Sequence, residues 1–202
     1  MMPAARESLL DAACAALARR PWSAVRMVDV AAAAGVSRQT LYNEFGSKEG
    51  LARALVRREA DGYLAGAERA LATHGDPRER LTAAAEWTAS AARDNALAKA
   101  VLTGCWSERL PMPTLSAVRS SSAVPAQRRA DGPLPSPGDL VAIVRDRAVA
   151  LLSVPGTPEA ETAALTRTCE LVIRLALSCV AAPPGEGGIA ELVRGVLHRQ
   201  PV

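Results

Sequence analysis

At 202 residues the chain has room for one large or two small domains. Apolar residues make up 49% of it, mostly alanine and leucine, and aromatics only 3%; no period-two run of β-branched residues stands ready to form a strand, so an all-helical fold is predicted. The net charge of +3 is unevenly spread, nine Lys or Arg against five Asp or Glu in residues 1–58 and fifteen against sixteen in the rest, which puts any polyanion-binding surface in the N-terminal quarter.

The first predicted helix runs from Ala4 to Arg19. Leu9, Leu10, Ala13 and Leu17 share one face and Arg6, Glu7 and Asp11 lie off it. Pro21 ends that helix. A short second helix covers Val28 to Ala34 and stops at Gly35. Ser37 caps a third, reaching Phe45, and Ser47 caps a longer fourth, reaching about Leu71. His74-Gly75-Asp76-Pro77 is a break, followed by helices over Arg78–Arg93 and Asn95–Cys105. Pro111 to Pro137 holds six prolines, a Ser120-Ser121-Ser122 run and an Asp131-Gly132-Pro133 turn signal. A long, partly disordered loop with at most one short helix (Thr114–Arg119) is expected there. Helix resumes over Gly138–Leu152, then Glu159–Ala181, then Gly188–His198. The predicted domains are 1–46, a connecting helix over 47–75, and a helical domain over 76–202.

The four cysteines, Cys14, Cys105, Cys169 and Cys179, have no C-x-x-C spacing and no paired histidines. Zinc and a disulfide framework are therefore not expected, and free thiols in helical cores are. Arg6, Glu7 and Asp11 interrupt any leader-like apolar run. The longest apolar stretch, Leu171 to Pro184, is broken by Arg174 and too short to span a bilayer. A cytoplasmic protein without a membrane partner is the expectation.

The informative stretch is Val30 to Tyr42. Two short helices crossing steeply need a small residue at their contact, and Ala31 supplies it. They need a turn residue that tolerates positive φ, and Gly35 supplies that. Val30, Ala34, Val36, Leu41 and Phe45 are the apolar pegs. Arg38, Gln39, Thr40, Tyr42 and Asn43 are then pushed outward, and these are residue types that bond to base edges and phosphates. An ordinary helical hairpin with a polar face is the competing account. Lys48 adds a second clue. A cation at the first position of helix four opposes the helix dipole at a cost of roughly 0.3–1 kcal/mol, which a DNA phosphate at the same helix end would reverse. The alternative is a solvated lysine.

Residues 28–59, VDVAAAAGVSRQTLYNEFGSKEGLARALVRRE, resemble the DNA-binding segment of the tetracycline-repressor (TetR) family. The shared elements are an Ala-Gly-Val-Ser turn, a Thr-Leu-Tyr recognition helix with a closing aromatic, and a Lys-Glu-x-Leu helix start. The resemblance covers roughly residues 4–60. It implies a homodimer, a helical C-terminal domain that binds a small molecule, and repression relieved by that ligand. By position it assigns Ser37, Arg38, Gln39, Thr40, Tyr42, Asn43 and Lys48 to DNA, with Tyr42 and Lys48 on phosphate and Arg38, Gln39, Thr40 and Asn43 best placed for bases. Two positions depart from the family. The usual Thr or Ser cap of helix two is Met27 here, with Asp29 partly compensating. Gln39 stands where glycine or lysine is frequent, and its amide could read adenine. The segment also resembles a subgroup linked to fatty-acid or alkane degradation.

Patterning alone speaks for the second half. Leu165, Cys169, Val172, Ile173, Ala176, Leu177 and Val180 give Glu159–Ala181 an apolar face too wide for one neighbour. With Ile189, Leu192, Val193, Val196 and Leu197 of the last helix it could form a four-helix dimer interface; intrachain core is the alternative. Trp87, Thr103, Trp106 and Met112 are the candidate effector-pocket residues. Arg174, four residues after Glu170, is either a polar anchor in that pocket or a surface or seam ion pair. With few polar groups available, the effector is expected to be apolar or amphipathic. No catalytic motif, metal site or cofactor motif occurs. Neither His74 nor His198 follows a Glu by three residues, and H-E-x-x-H, G-x-S-x-G and P-loop patterns are missing. A helical-bundle enzyme and a non-specific structural DNA-binding protein are the competing classes. The small basic surplus argues against the latter.

Overall fold

Alanine-rich segments with polar caps form nine α-helices and no strand among the described residues, which in this computed structural model are 3–73, 75–112, 133–185 and 188–198. The helices are α1 (Pro3–Arg19), α2 (Met27–Ala33), α3 (Arg38–Phe45), α4 (Lys48–Leu71), α5 (Pro77–Asp94), α6 (Ala96–Thr103), α7 (Pro137–Leu152), α8 (Glu159–Ala181) and α9 (Gly188–Leu197), with a 3₁₀ turn at Trp22–Ala24. Most of the expected proline-rich loop, residues 113–132, lies outside the described residues. No helix of the described residues is long and apolar enough to cross a membrane. The chain divides into two compact units, residues 1–59 with 106–134, and residues 60–105 with 135–202. The division falls inside α4, whereas the boundaries expected from sequence lie near the ends of α3 and α4.

In the first unit α2 packs on α1 and α3 packs on α2. Leu9, Leu10, Val30, Ala31, Leu41, Phe45, Leu51 and Leu55 form its core. α2 has seven residues and α3 eight, too few to persist alone, so packing and caps hold them. Gly35 sits at φ +68°, a left-handed conformation that lets the chain reverse between α2 and α3 within four residues. The residue flanking α2 on its N-terminal side is Arg26, one before the expected Met27, and its side chain makes no capping bond. Met27 is instead buried in the core, where a thioether serves better than a hydroxyl.

In the second unit α5 is central, packed against α8, α9 and α6, and α7 lies on α8. Its helix starts are well capped. Asp76 accepts from the backbone N–H of Arg78 and Glu79 ahead of Pro77. Asn95 accepts from Leu97 and Ala98. Ser136 and Asp139 form a reciprocal capping box that opens α7. The Asp139 carboxyl, accepting from the Ser136 backbone and hydroxyl, is held below the usual aspartate range. Gly66 of α4 lets the Trp87 indole of α5 lie directly on the helix backbone, where any Cβ would collide with the ring. The indole N–H donates to the Tyr63 carbonyl at 3.0 Å, and the Tyr63 and Thr88 hydroxyls meet at 3.2 Å.

Candidate nucleic-acid interface

Helix α3 shows how the sequence divides one short helix between anchoring and contact. Ser37 caps it, its hydroxyl oxygen accepting from the Thr40 backbone N–H at 3.0 Å and lying 2.9 Å from the Thr40 hydroxyl. Leu41 is fully buried, and Glu44 and Phe45 are buried beside it. Arg38, Gln39 and Asn43 are exposed, Thr40 is half-buried, and Tyr42 keeps 39% of its surface despite its size. The Gln39 amide N–H donates to the Asn43 side-chain oxygen at 2.7 Å, one turn on. The helix therefore brings six of the seven expected DNA residues onto a single outward surface: Ser37, Arg38, Gln39, Thr40, Tyr42 and Asn43.

The seventh, Lys48, opens α4 as expected. Its ammonium donates to the Ser23 carbonyl at 3.1 Å and stands 5.3 Å over the Trp22 ring. Partial burial lowers its pKa from the ordinary lysine value. The cation unfavourable to the helix dipole is thus balanced inside the protein by a carbonyl and an aromatic face.

Two further contacts position the surface. Glu44, buried on the inner side of α3, pairs with Arg6 of α1 at 2.6 Å, and the Arg6 guanidinium also stacks 4.9 Å over Phe45. A carboxylate on the same face as Leu41 and Phe45 was the available signal for this clasp, since a buried acid requires a cation. Asp29, in the first turn of α2, accepts from Arg26 and Arg20. The Arg26 hydrogen bond, ahead of the attraction of both guanidiniums, holds its carboxyl below the usual range.

The five effector candidates are placed apart. Trp87 packs on Gly66, and Thr103 spends its hydroxyl on the Lys99 carbonyl at 2.7 Å. Trp106 and Met112 belong to the other unit, Trp106 half-buried and Met112 exposed. Arg174 is exposed and bound to Glu170, which also receives Arg145 of α7. The Arg174 hydrogen bond, then that of Arg145, lowers the Glu170 pKa. Two cavities of the second unit, about 440 and 680 Å³, are lined by none of the five. All four cysteines are free; Cys169 and Cys179 are buried, Cys14 is half-buried and Cys105 exposed. Among the described residues no group of three His, Cys, Asp or Glu could hold a metal.

This geometry, a glycine turn into a serine-capped helix with a polar outer face, recurs in known proteins. Residues 9–55 match the model of the "Bacterial regulatory proteins, tetR family". The match is confined to the N-terminal helices α1 to α4. Over 56 residues it is 57% identical to the HTH-type transcriptional regulator AlkX of Mycobacterium tuberculosis, a match covering 28% of this chain and 26% of that protein. Over 81 residues it is 41% identical to the HTH-type transcriptional activator FasR of Mycolicibacterium smegmatis, covering 40% and 37%. These matches span only about a quarter to a third of the curated relatives' length. The fold extends further: the TetR family repressor AlkX from a Dietzia species, implicated in biodegradation of n-alkanes, superposes at TM-score 0.53 with 21% identity over 96% of this chain and 92% of that one. The match over residues 9–55 agrees with the resemblance read from residues 28–59, and both curated relatives are named as transcription factors, one a regulator and one an activator.

Proposed function

We propose that this chain is a tetR-family transcriptional repressor that binds a near-palindromic operator as a homodimer and is released by a small, mostly apolar effector. The observation that carries the DNA-binding part is α3, whose buried Leu41 and Phe45 fix the helix while Arg38, Gln39, Thr40, Tyr42 and Asn43 face outward. Tyr42 and Lys48 act on phosphate, Lys48 by exchanging the Ser23 carbonyl for a phosphate oxygen. Arg38, Gln39, Thr40 and Asn43 act on base edges. Support for the dimer is the outer strip of α8, where Leu171 is 44% exposed, together with Leu192 of α9 at 45%. Two such leucines on neighbouring helices are suited to burial against a second copy. The Dietzia repressor's implication in n-alkane biodegradation supports an apolar effector.

The test is a gel-shift titration on the promoter beside the gene. Tyr42→Ala with Lys48→Ala is expected to weaken binding to all sequences and to shrink the salt dependence by roughly one to two phosphate contacts. Arg38→Ala or Gln39→Ala is expected also to relax sequence preference. Unaltered operator affinity in the double variant overturns the assignment. Unchanged preference in both single variants points to a non-specific DNA-binding protein. A promoter fusion fixes the sign of regulation, since loss of the regulator raises transcription only if it represses.

A further inference from the structure

The cavity of about 440 Å³ in the second unit lies between α5 and α6 on one side and the α8–α9 corner on the other. Its volume falls within the range of small-molecule sites. The inner wall is apolar: Ala89 and Ala92 of α5, Cys179 and Val180 of α8, and Ile189 of α9. Pro183 and Pro184 brace the corner without backbone N–H donors. The rim is the opposite in character. Arg93, in the last turn of α5, and Lys99, in α6, both line the cavity and both are exposed. Neither side chain has an ion-pair or hydrogen-bond partner among the described residues. The neighbouring acid, Asp94, receives the Ser90 hydroxyl at 3.3 Å and pairs with neither cation. The Asn95 side chain, between the two cations in sequence, is engaged in capping α6. No carboxylate lines the cavity.

An apolar pocket with two uncompensated cations at its mouth has one fitting occupant class. We propose that it binds a small amphipathic anion, its apolar body against Val180, Ile189 and Ala92 and its carboxylate or phosphate head between Arg93 and Lys99. A neutral hydrocarbon would fill the floor and leave the cations unmatched. A polar anion would match the cations and leave the floor wet. None of the residues expected from sequence to hold the effector lines it.

Isothermal titration of the full chain with octanoate, octyl phosphate, octanol and octylamine tests it. The two anions are expected to bind, octanol more weakly, and octylamine not at all; a preference between octanoate and octyl phosphate identifies the head group. Arg93→Glu with Lys99→Glu, both exposed and so compatible with folding, is expected to weaken anion binding about tenfold while leaving octanol unchanged. Ala89→Leu, which fills the floor, is expected to weaken all three binding ligands. The location is read independently by thiol alkylation and peptide mass mapping. Octanoate is expected to slow modification of Cys179, on the wall, and to leave that of exposed Cys105 unchanged. Equal binding of octanoate and octylamine, or no protection of Cys179 at saturating octanoate, overturns the proposal.

Discussion

The two units are held together by different physics. The first seats two short helices, α2 and α3, with polar clasps around its core: Arg6 on Glu44 and Phe45, Arg58 on Asp11 and the Leu10 carbonyl, Arg26 and Arg20 on Asp29, Lys48 on Ser23 and Trp22. The second is built from longer helices whose contacts are chiefly apolar, around Leu81, Leu102, Leu140, Val172, Ala176, Val193 and Leu197. It has long-range polar contacts too, the Tyr63–Thr88–Trp87 knot, Arg145 on Glu170, Arg147 on Glu68 and the Leu64 carbonyl, and Arg80 on the Leu151 carbonyl, but they join helices that already pack along their length. Helices of seven and eight residues bury too little surface to fix their orientation by the hydrophobic effect alone. Charge-assisted bonds supply the direction that packing leaves open. The longer helices of the second unit are already oriented by packing, and there Arg93 and Lys99 have no ion-pair or hydrogen-bond partner among the described residues.

The comparison is tested first where both units depend on packing. Leu41→Ala removes a side chain with no exposed surface and is expected to cost about 2–5 kcal/mol in urea unfolding. It should also abolish operator binding, because Leu41 anchors the helix that carries the outward face. A loss under about 1 kcal/mol would show that α3 is not seated as described. Next, Gly66→Ala in the second unit drives a methyl into the Trp87 ring and is expected to cost about 1–3 kcal/mol with operator affinity in the folded protein unchanged. A change in affinity comparable to the change in stability would mean that the two units do not separate their tasks. Third, Glu44→Gln keeps the shape of the side chain and removes the charge facing Arg6. Because Arg6 remains 30% exposed, the expected cost is about 1–2 kcal/mol, but operator binding should weaken beyond what stability explains, since the clasp orients α3. Wild-type affinity in that variant would reduce the clasp to decoration.

The smallest effect contrasts two thiols. Cys14 is raised by burial, but Arg58, 2.9 Å from its sulfur, pulls it back toward ionisation. Cys169, fully buried, is pushed up to about 12 by desolvation. Thiolate is the reactive form, and raised values deplete it at ordinary pH. At pH 8 the native protein is therefore expected to alkylate at Cys105 first, Cys14 next and Cys169 last by peptide mass. Cys169 modified before Cys14 would contradict the contrast between a clasped unit and an apolar one.

The sequence made some of this architecture readable and hid the rest for definable reasons. Gly35, Ser37 and Leu41 act locally, through backbone conformation, a cap and a helical period, so their roles could be read from neighbours in the chain. The span Glu159–Ala181 was legible for the same reason, bounded by prolines and periodic throughout. Arg6 and Glu44 are 38 residues apart, and nothing local marks them as a pair. The Lys48 ammonium could be placed at a helix end but not on Trp22, because that contact depends on where the turn at Trp22–Ala24 lies in space. Pocket residues were the least legible. Trp87 reads as a ligand-stacking ring until Gly66 is seen to receive it, and the cavity beside Arg93 is lined by alanines that carry no signal in a chain so rich in them.

The bond between Gln39 and Asn43 carries a consequence for how a target is selected. A free glutamine gives up roughly 1–2 kcal/mol of rotational freedom when it is fixed against a partner. Here part of that ordering is complete in the folded chain, because the Gln39 amide already rests on Asn43 one turn away. The reading surface is thus nearer to a rigid template than to a set of searching side chains. Rigid templates gain less from mismatched partners, since they cannot rearrange to recover lost bonds, and they release a wrong sequence quickly. Under the proposed function, selectivity on α3 would accordingly reside in the lifetime of the complex, with the rate of first encounter left to the basic charge around it.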